Sequence, residues 1–407
     1  MKFSLHKLYC FSLGIALFFQ VLLPKQAPIG IILIAVSIIL LALKKELQLF
    51  KTKVHLFFVL FYVAYLVGIF FTRDGKEAAH VLESKLSFVI FPLFFLVVPK
   101  QKVDLKIPII FYIIALIFQF SIGLYNSSLC YAENSSFSCF LSSSFSPIHH
   151  PTYMAIYYLV GILLVSQLKP ISAFLKYGLI GIFALGYLLC MSLSAILFLA
   201  LLIAVVGFIW FRKKFGTLKS IGLVSLLLVG LVVVIDQSKD TVSDIEYTYN
   251  SLKNYVHSPT EYVKKANRYL VGNEERLVLW TVATQAIIEN PLGYGTGNID
   301  IVLGNKLNSY GLHDLAEKKF NPHNQYLQTW IETGIFGVFI LIGLFIVIIQ
   351  IAWKNKNWTL LILTASFVFN SLFESMFQRQ SGIMFFTLVT FILLLSSQKK
   401  PKKEDYT

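Results

Sequence analysis

Apolar stretches of membrane-spanning or near-spanning length recur along this chain, with short basic clusters between them. The stretches run over residues 8–24, 28–43, 54–72, 86–98, 107–125, 151–168, 171–191, 194–211, 219–235, 335–352, 358–373 and 381–397. A hydrocarbon core about 30 Å thick takes roughly 20 helical residues. Inside it, only helices and closed barrels satisfy their own backbone groups. The pattern predicts an all-α polytopic membrane protein with about twelve transmembrane helices, several of them short. Hydrophobic residues make up 57% of the 407 and the mean hydropathy is +0.72, which excludes a soluble multidomain fold.

A formal charge of +14 would suit a nucleic-acid-binding protein if it formed one face. Here the lysines and arginines fall instead in alternate gaps between spans. They are Lys44, Lys45, Lys51 and Lys53; Lys100, Lys102 and Lys106; Lys169; Arg212, Lys213, Lys214 and Lys219; Lys354 and Lys356; then Lys399, Lys400, Lys402 and Lys403. By the positive-inside rule both termini are cytoplasmic, and the long loop between the ninth and tenth helices lies on the outer, periplasmic face. The chain then divides into helices 1–9 (residues 1–235), the outer loop (236–334), helices 10–12 (335–398) and a basic cytoplasmic tail (399–407). Cys130 and Cys139 share an outer loop, where an oxidising compartment lets them pair. Two free thiols fit the spacing equally well.

Within the outer loop, the polar-apolar pattern predicts a helix from Asn273 that carries Arg276 near its start and stops at Asn290-Pro291. Three alternating glycines follow, Gly293, Gly295 and Gly297, where a backbone can turn tightly or approach a ligand closely. A second amphipathic helix is predicted from Asn321-Pro322-His323, with Tyr326, Leu327, Trp330 and Ile331 on one face and His323 in its first turn. Lys264, Lys265 and Arg268 share a face that suits lipid phosphate or an anionic glycan carrier, and equally a solvated basic patch. His150, before Pro151 at the outer start of the sixth span, is a candidate cavity-lining residue. No carboxylate or cysteine stands near it at a metal-ligand spacing. The charges between Arg73 and Lys85 have the spacing of a short interfacial helix and read first as a solvated face.

At these residues the chain resembles the O-antigen ligase and O-antigen polymerase family of membrane glycosyltransferases. The resemblance is carried by Arg276 with Trp280, by Asn290-Pro291-Leu292-Gly293-Tyr294-Gly295-Thr296-Gly297, and by His323-Asn324-Gln325-Tyr326-Leu327-Gln328 with Glu332, Gly334 and Gly337. His150-Pro151-Thr152-Tyr153 and the late segment from Glu374 through Arg379 to Gly382 also look like elements of that group. The resemblance implies a glycan donor linked to undecaprenyl diphosphate in the bacterial inner membrane. The acceptor is the lipid A core in ligases and another glycan in polymerases. It also implies a reaction without metal or other cofactor and without nucleic acid, with Arg276 on the donor diphosphate and His323 assisting the acceptor hydroxyl. Many relatives carry an arginine directly after a Ser-x-Ser pair; here Ala195 follows Ser194, and Arg379 or the Lys264–Arg268 patch is left to supply that charge.

Elementary chemistry gives the same roles. A leaving diphosphate needs its growing charge stabilised, which suits an arginine fork. A sugar hydroxyl needs a proton acceptor, for which His323 ranks first and Glu332 second. Asn324, beside His323, and the three glycines complete the expected binding residues. A transporter or lipid-linked glycan flippase is the rival class, and it would be expected to place ionisable groups at mid-membrane depth.

Overall fold

The computed structural model describes residues 4–169, 171–236, 249–266 and 273–396; Arg268 and the basic tail from 399 to 407 lie outside them. Helices α1 (Leu5–Leu22) and α2 (Ala27–Leu43) pack together, and Gly30 comes so near α1 that a Cβ there would lie 2.5 Å from the Ala16 Cα. In lipid no hydrophobic force drives helices together, so small residues that admit close dispersion contacts do much of that work. Strand β1 (Leu47–Leu49) and, after three helices, strand β2 (Val97–Pro99) pair antiparallel with Gln48 opposite Val98.

Between the strands lie α3 (Lys53–Gly68), α4 (Gly75–Lys85) and α5 (Ser87–Phe95). Asp74 caps α4 by accepting from the backbone N–H groups of Lys76 and Glu77 at 3.1 and 3.0 Å. The charged stretch forms a capped helix, and its Arg73, Asp74, Lys76, His80 and Glu83 are exposed, as a solvated face requires, while Lys85 departs from that reading at only 1% exposed. The span expected over 86–98 likewise starts earlier, within one apolar helical unit from Gly75 to Phe95, and its last residues leave the helix to join the two-stranded sheet. β-Branched Val97 and Val98 favour that extended ending.

Helix α6 (Lys106–Asn134), α7 (Ser142–Phe145), α8 (Pro151–Gln167) and α9 (Ala173–Leu189) follow. Then α10 (Leu193–Leu202) runs through a π-helical turn at Ile203–Gly207 into α11 (Phe208–Phe215), and α12 (Thr217–Asp236) leads to the long loop. Cys130 and Cys139 form a disulfide that ties the end of α6 to the following turn, which resolves the alternative left by their spacing.

The loop contains α13 (249–257), α14 (Pro259–Lys264), α15 (Asn273–Glu289), α16 (Ile299–Ser309) and α17 (His313–Glu317). Two of its helices were expected around the glycine turn; α16 and α17, between them, were not. The chain ends in α18 (Gln325–Lys354), α19 (Trp358–Asn370) and α20 (Gln380–Ser396). Among the described residues seven helical stretches are long and apolar enough to cross a membrane, and five shorter apolar helices accompany them.

Two separate cores result. The larger joins the apolar helices and is rich in phenylalanine, with Phe95 stacked on Phe391 at 5.1 Å and Phe367 on Phe386 at 4.5 Å. The smaller belongs to the loop, where Val278, Leu279 and Val282 of α15 meet Leu303 of α16 and Ile331 of α18. Gly334 (φ +69°) breaks α18 between a first segment that carries Ile331 into the loop core and a longer one that enters the apolar bundle.

Candidate active site

The turn between α19 and α20 carries Glu374, which is buried, and neighbouring elements clamp it from several sides. Phe377 donates its backbone N–H to Gln325 Oε1 at 2.6 Å, and Gln325 donates its own to the Ser371 carbonyl at 2.8 Å. The buried ammonium of Lys85 donates to the Phe377 carbonyl at 3.2 Å, and the Tyr153 hydroxyl to that of Ser375 at 3.2 Å. Helices α4, α8 and α18 thus hold one nine-residue turn by its backbone, which fixes the carboxylate at its centre.

His323 faces Glu374. Its Nδ1 lies 3.2 Å from Oε1 and 3.3 Å from Oε2. Contrary to the expected first-turn position, His323 precedes the helix: Asn324 is the N-cap, accepting from the N–H groups of Tyr326 and Leu327, and His323 has a left-handed φ of +45°. Such a φ is uncommon outside glycine, although histidine is among the residues that adopt it most readily. Asn321 holds it by accepting from the His323 N–H at 2.9 Å and from the Ser375 hydroxyl at 3.0 Å.

Arg276, in the first turn of α15, reaches the other carboxylate oxygen, with its Nη2 3.5 Å from Glu374 Oε2. His150 and Arg379 complete the group, since the charges of Glu374, Arg276, Arg379 and His323 all act on His150. Burial by itself would raise the Glu374 carboxyl. The hydrogen bond from His323 and the charges of His323, His150 and Arg276 outweigh it and hold that carboxyl at about 2. For His150 burial dominates and lowers it, with Glu374 opposing.

An ionised carboxylate only accepts, so Nδ1 of His323 is the donor and Nε2 is the ring's basic atom. No described hydrogen bond engages Nε2, and the side chain is 26% exposed. One turn beyond Arg276, Trp280 packs on Phe373, and its buried indole N–H lacks a partner among the described residues.

The three glycines make the tight turn expected of them. All have positive φ, and their close approach is to the chain's own backbone: a Cβ would lie 2.5 Å from Gly334 N at Gly293, 2.6 Å from Phe71 C at Gly295 and 2.5 Å from Ala78 N at Gly297. Thr296 secures the same turn by donating to the Tyr65 carbonyl at 2.7 Å. Glu332 stands with this turn and apart from His323. It is 1% exposed and accepts from the Gly297 N–H and the Gln328 amide, both at 3.3 Å. Asn324 is occupied as a cap and by donating to the Leu372 carbonyl at 3.0 Å. Lys264 and Lys265 are exposed on α14, with Lys265 paired to Glu261 at 2.6 Å. Ala195 is buried, and its carbonyl accepts from Tyr187.

Glu374, quoted in the sequence only as part of a motif, is the member of this group that periodicity passed over; helical spacing already placed Trp280 on the apolar face of its helix. The one available signal was a carboxylate in an apolar C-terminal region whose other charges flank the membrane spans. Among the described residues no three histidine, cysteine or carboxylate side chains are grouped so as to hold a metal.

A Haemophilus influenzae protein described as uncharacterized is 31% identical over 156 residues, a stretch that covers 38% of this chain and 37% of that protein. The family model described as O-antigen ligase matches residues 178–342, from α9 into α18, a region that includes Arg276, the glycine turn and His323. The apolar helices make the chain a multi-pass membrane protein, and over residues 178–342 it is similar to the O-antigen ligase family.

Proposed function

We propose that this protein transfers a glycan from undecaprenyl diphosphate to a hydroxyl acceptor, the lipid A core, at the periplasmic face of the bacterial inner membrane. The observation that carries the reading is the single buried carboxylate shared by His323 and Arg276. Glu374 holds the imidazole in one tautomer and leaves Nε2 free to take the acceptor's proton. The freed oxygen forms its bond to the anomeric carbon as the bond from that carbon to the diphosphate breaks. The electron pair leaves with the diphosphate, and its charge is met by Arg276 and Arg379. Displacement from the opposite side inverts the anomeric carbon. Two arginines supply the positive charge that a metal would otherwise bring, so the reaction is proposed to need none.

Glycan transfer by the purified protein, from lipid-linked donor to lipid A core, tests the reaction. In the native host, deletion should abolish long glycan on lipid A while lipid-linked polymer accumulates. A core bearing one repeat would assign a polymerase instead. Movement of lipid-linked glycan across vesicles without transfer would overturn the enzymatic reading in favour of a flippase.

A further inference from the structure

A cavity lies at the far end of the helix bundle. Helix α8 begins beside His150 and ends at Gln167; α20 begins beside Arg379 and ends at Ser396; both final residues line this cavity. Helices of that length span roughly 25 Å, close to the hydrocarbon thickness, so the cavity opens at the membrane surface opposite Glu374. Its volume is about 530 Å³, within the range of small-molecule sites.

Its walls are apolar, built from Leu17 of α1, Ile109 of α6, Leu164 of α8 and Val389 and Ile392 of α20. Its rim is basic, with Lys102, Lys106 and Lys169 at the edge. All three lysines are exposed, and no described hydrogen bond or ion pair engages their ammonium groups. One carboxylate also lines the rim, Asp104, which accepts from the Lys106 backbone N–H at 3.1 Å and leaves the three lysines in excess; the Gln167 amide donates to Thr359 Oγ1 at 2.6 Å. An apolar shaft below three unpaired cations matches one class of molecule, an amphiphile with an acyl chain and an anionic head.

We propose that this cavity holds one acyl chain of an anionic phospholipid, with its phosphate against Lys102, Lys106 and Lys169. A neutral or zwitterionic lipid would fill the shaft and leave the cations unmet. The polyprenyl donor has its diphosphate assigned to the opposite face. The site is independent of the glycan chemistry, and its lipid holds α1, α6, α8 and α20 together at the end away from the reaction.

Delipidated full-length protein in detergent, titrated with phosphatidylglycerol or phosphatidylcholine and examined by native mass spectrometry, tests the assignment. One copy of phosphatidylglycerol should be held at least about tenfold more tightly than phosphatidylcholine. Combining Lys102→Gln, Lys106→Gln and Lys169→Gln should weaken it on the order of a hundredfold, as loss of three surface cations implies. Leu164→Trp, which fills the shaft and leaves the lysines in place, should expel the lipid on its own. Equal retention of the two lipids, unchanged binding by the triple variant, or tighter retention of a polyprenyl phosphate than of phosphatidylglycerol would overturn the proposal.

Discussion

His323 Nδ1 and Glu374 Oε1 lie 3.2 Å apart although their residues are 51 positions apart in the chain and separated by a whole apolar helical hairpin. That pair makes Glu374 a positioning residue for the proposed base. Glu374→Gln should lower kcat about a hundredfold with KM little changed, since the amide no longer selects a tautomer. Glu374→Asp should recover part of the rate, whereas a purely structural role would show up as lost folded protein. His323→Ala should abolish transfer at equal expression. Near-normal transfer by that variant would remove His323 from the mechanism and return Glu332 to consideration.

Stability should follow the protonation of Glu374. Its carboxyl is held at about 2, below the ordinary 4.5, so the folded state favours the ionised form. The associated stabilisation is complete above about pH 4.5 and is lost as pH falls toward 2, up to roughly 3 kcal/mol in all. Thermal unfolding in detergent between pH 5 and 2 should therefore fall more steeply for the native protein than for Glu374→Gln. Parallel curves would show that this carboxylate is not stabilised by its neighbours.

The glycine turn yields a prediction about stability. Gly295 has φ +101°, and a Cβ there would stand 2.6 Å from Phe71 C and 2.8 Å from the Gly68 carbonyl oxygen. Both neighbours are backbone at the end of α3, so neither yields easily. Gly295→Ala should cost on the order of 3 kcal/mol from strain and crowding, seen as a lower Tm. Unchanged Tm with weakened donor binding would restore these glycines to the substrate.

Much of this architecture was legible because lipid imposes strict rules on a chain. Each expected span coincides with an apolar helix, and α15 begins and ends where Asn273 and Asn290-Pro291 signal it. Arg276 and His323 were legible as chemistry for a different reason, since both stand in a polar loop where little else explains them. Glu374 was harder to rank, because its partners come from four distant segments and no periodicity links them. Lys85 was read as solvated, since sequence spacing does not show that a carbonyl of the 371–379 turn receives its ammonium. The tight turn at the glycines was legible from their spacing, whereas a local sequence does not reveal that α3, α4 and Gly334 crowd that turn.

The disulfide offers a test of sidedness as well as stability. Cys130 and Cys139 close a loop with a sequence separation of 9, so reduction should cost about 2.5 kcal/mol by loop-closure entropy. In intact cells a membrane-impermeant reductant followed by an impermeant thiol reagent should label both cysteines, if that loop is periplasmic. Labelling without prior reduction would show free thiols, and labelling only after the inner membrane is opened would reverse the proposed topology.

Arg276 bears most directly on the proposed chemistry. Its guanidinium already reaches Glu374 with one nitrogen and is 30% exposed, which leaves the rest of the fork for phosphate oxygens. Arg276→Ala should reduce transfer roughly a hundredfold, the effect of removing about 3 kcal/mol of stabilisation from the departing diphosphate. Arg276→Lys should recover only part of this, because an ammonium keeps the charge and loses the planar two-point grip. Both variants should remain inserted and folded, since the ion pair is longer than an ordinary hydrogen bond and Trp280 still anchors α15 on Phe373. Chelators should leave the native rate unchanged. A strict requirement for a divalent cation would transfer the leaving-group role from the arginines to a metal and overturn the account.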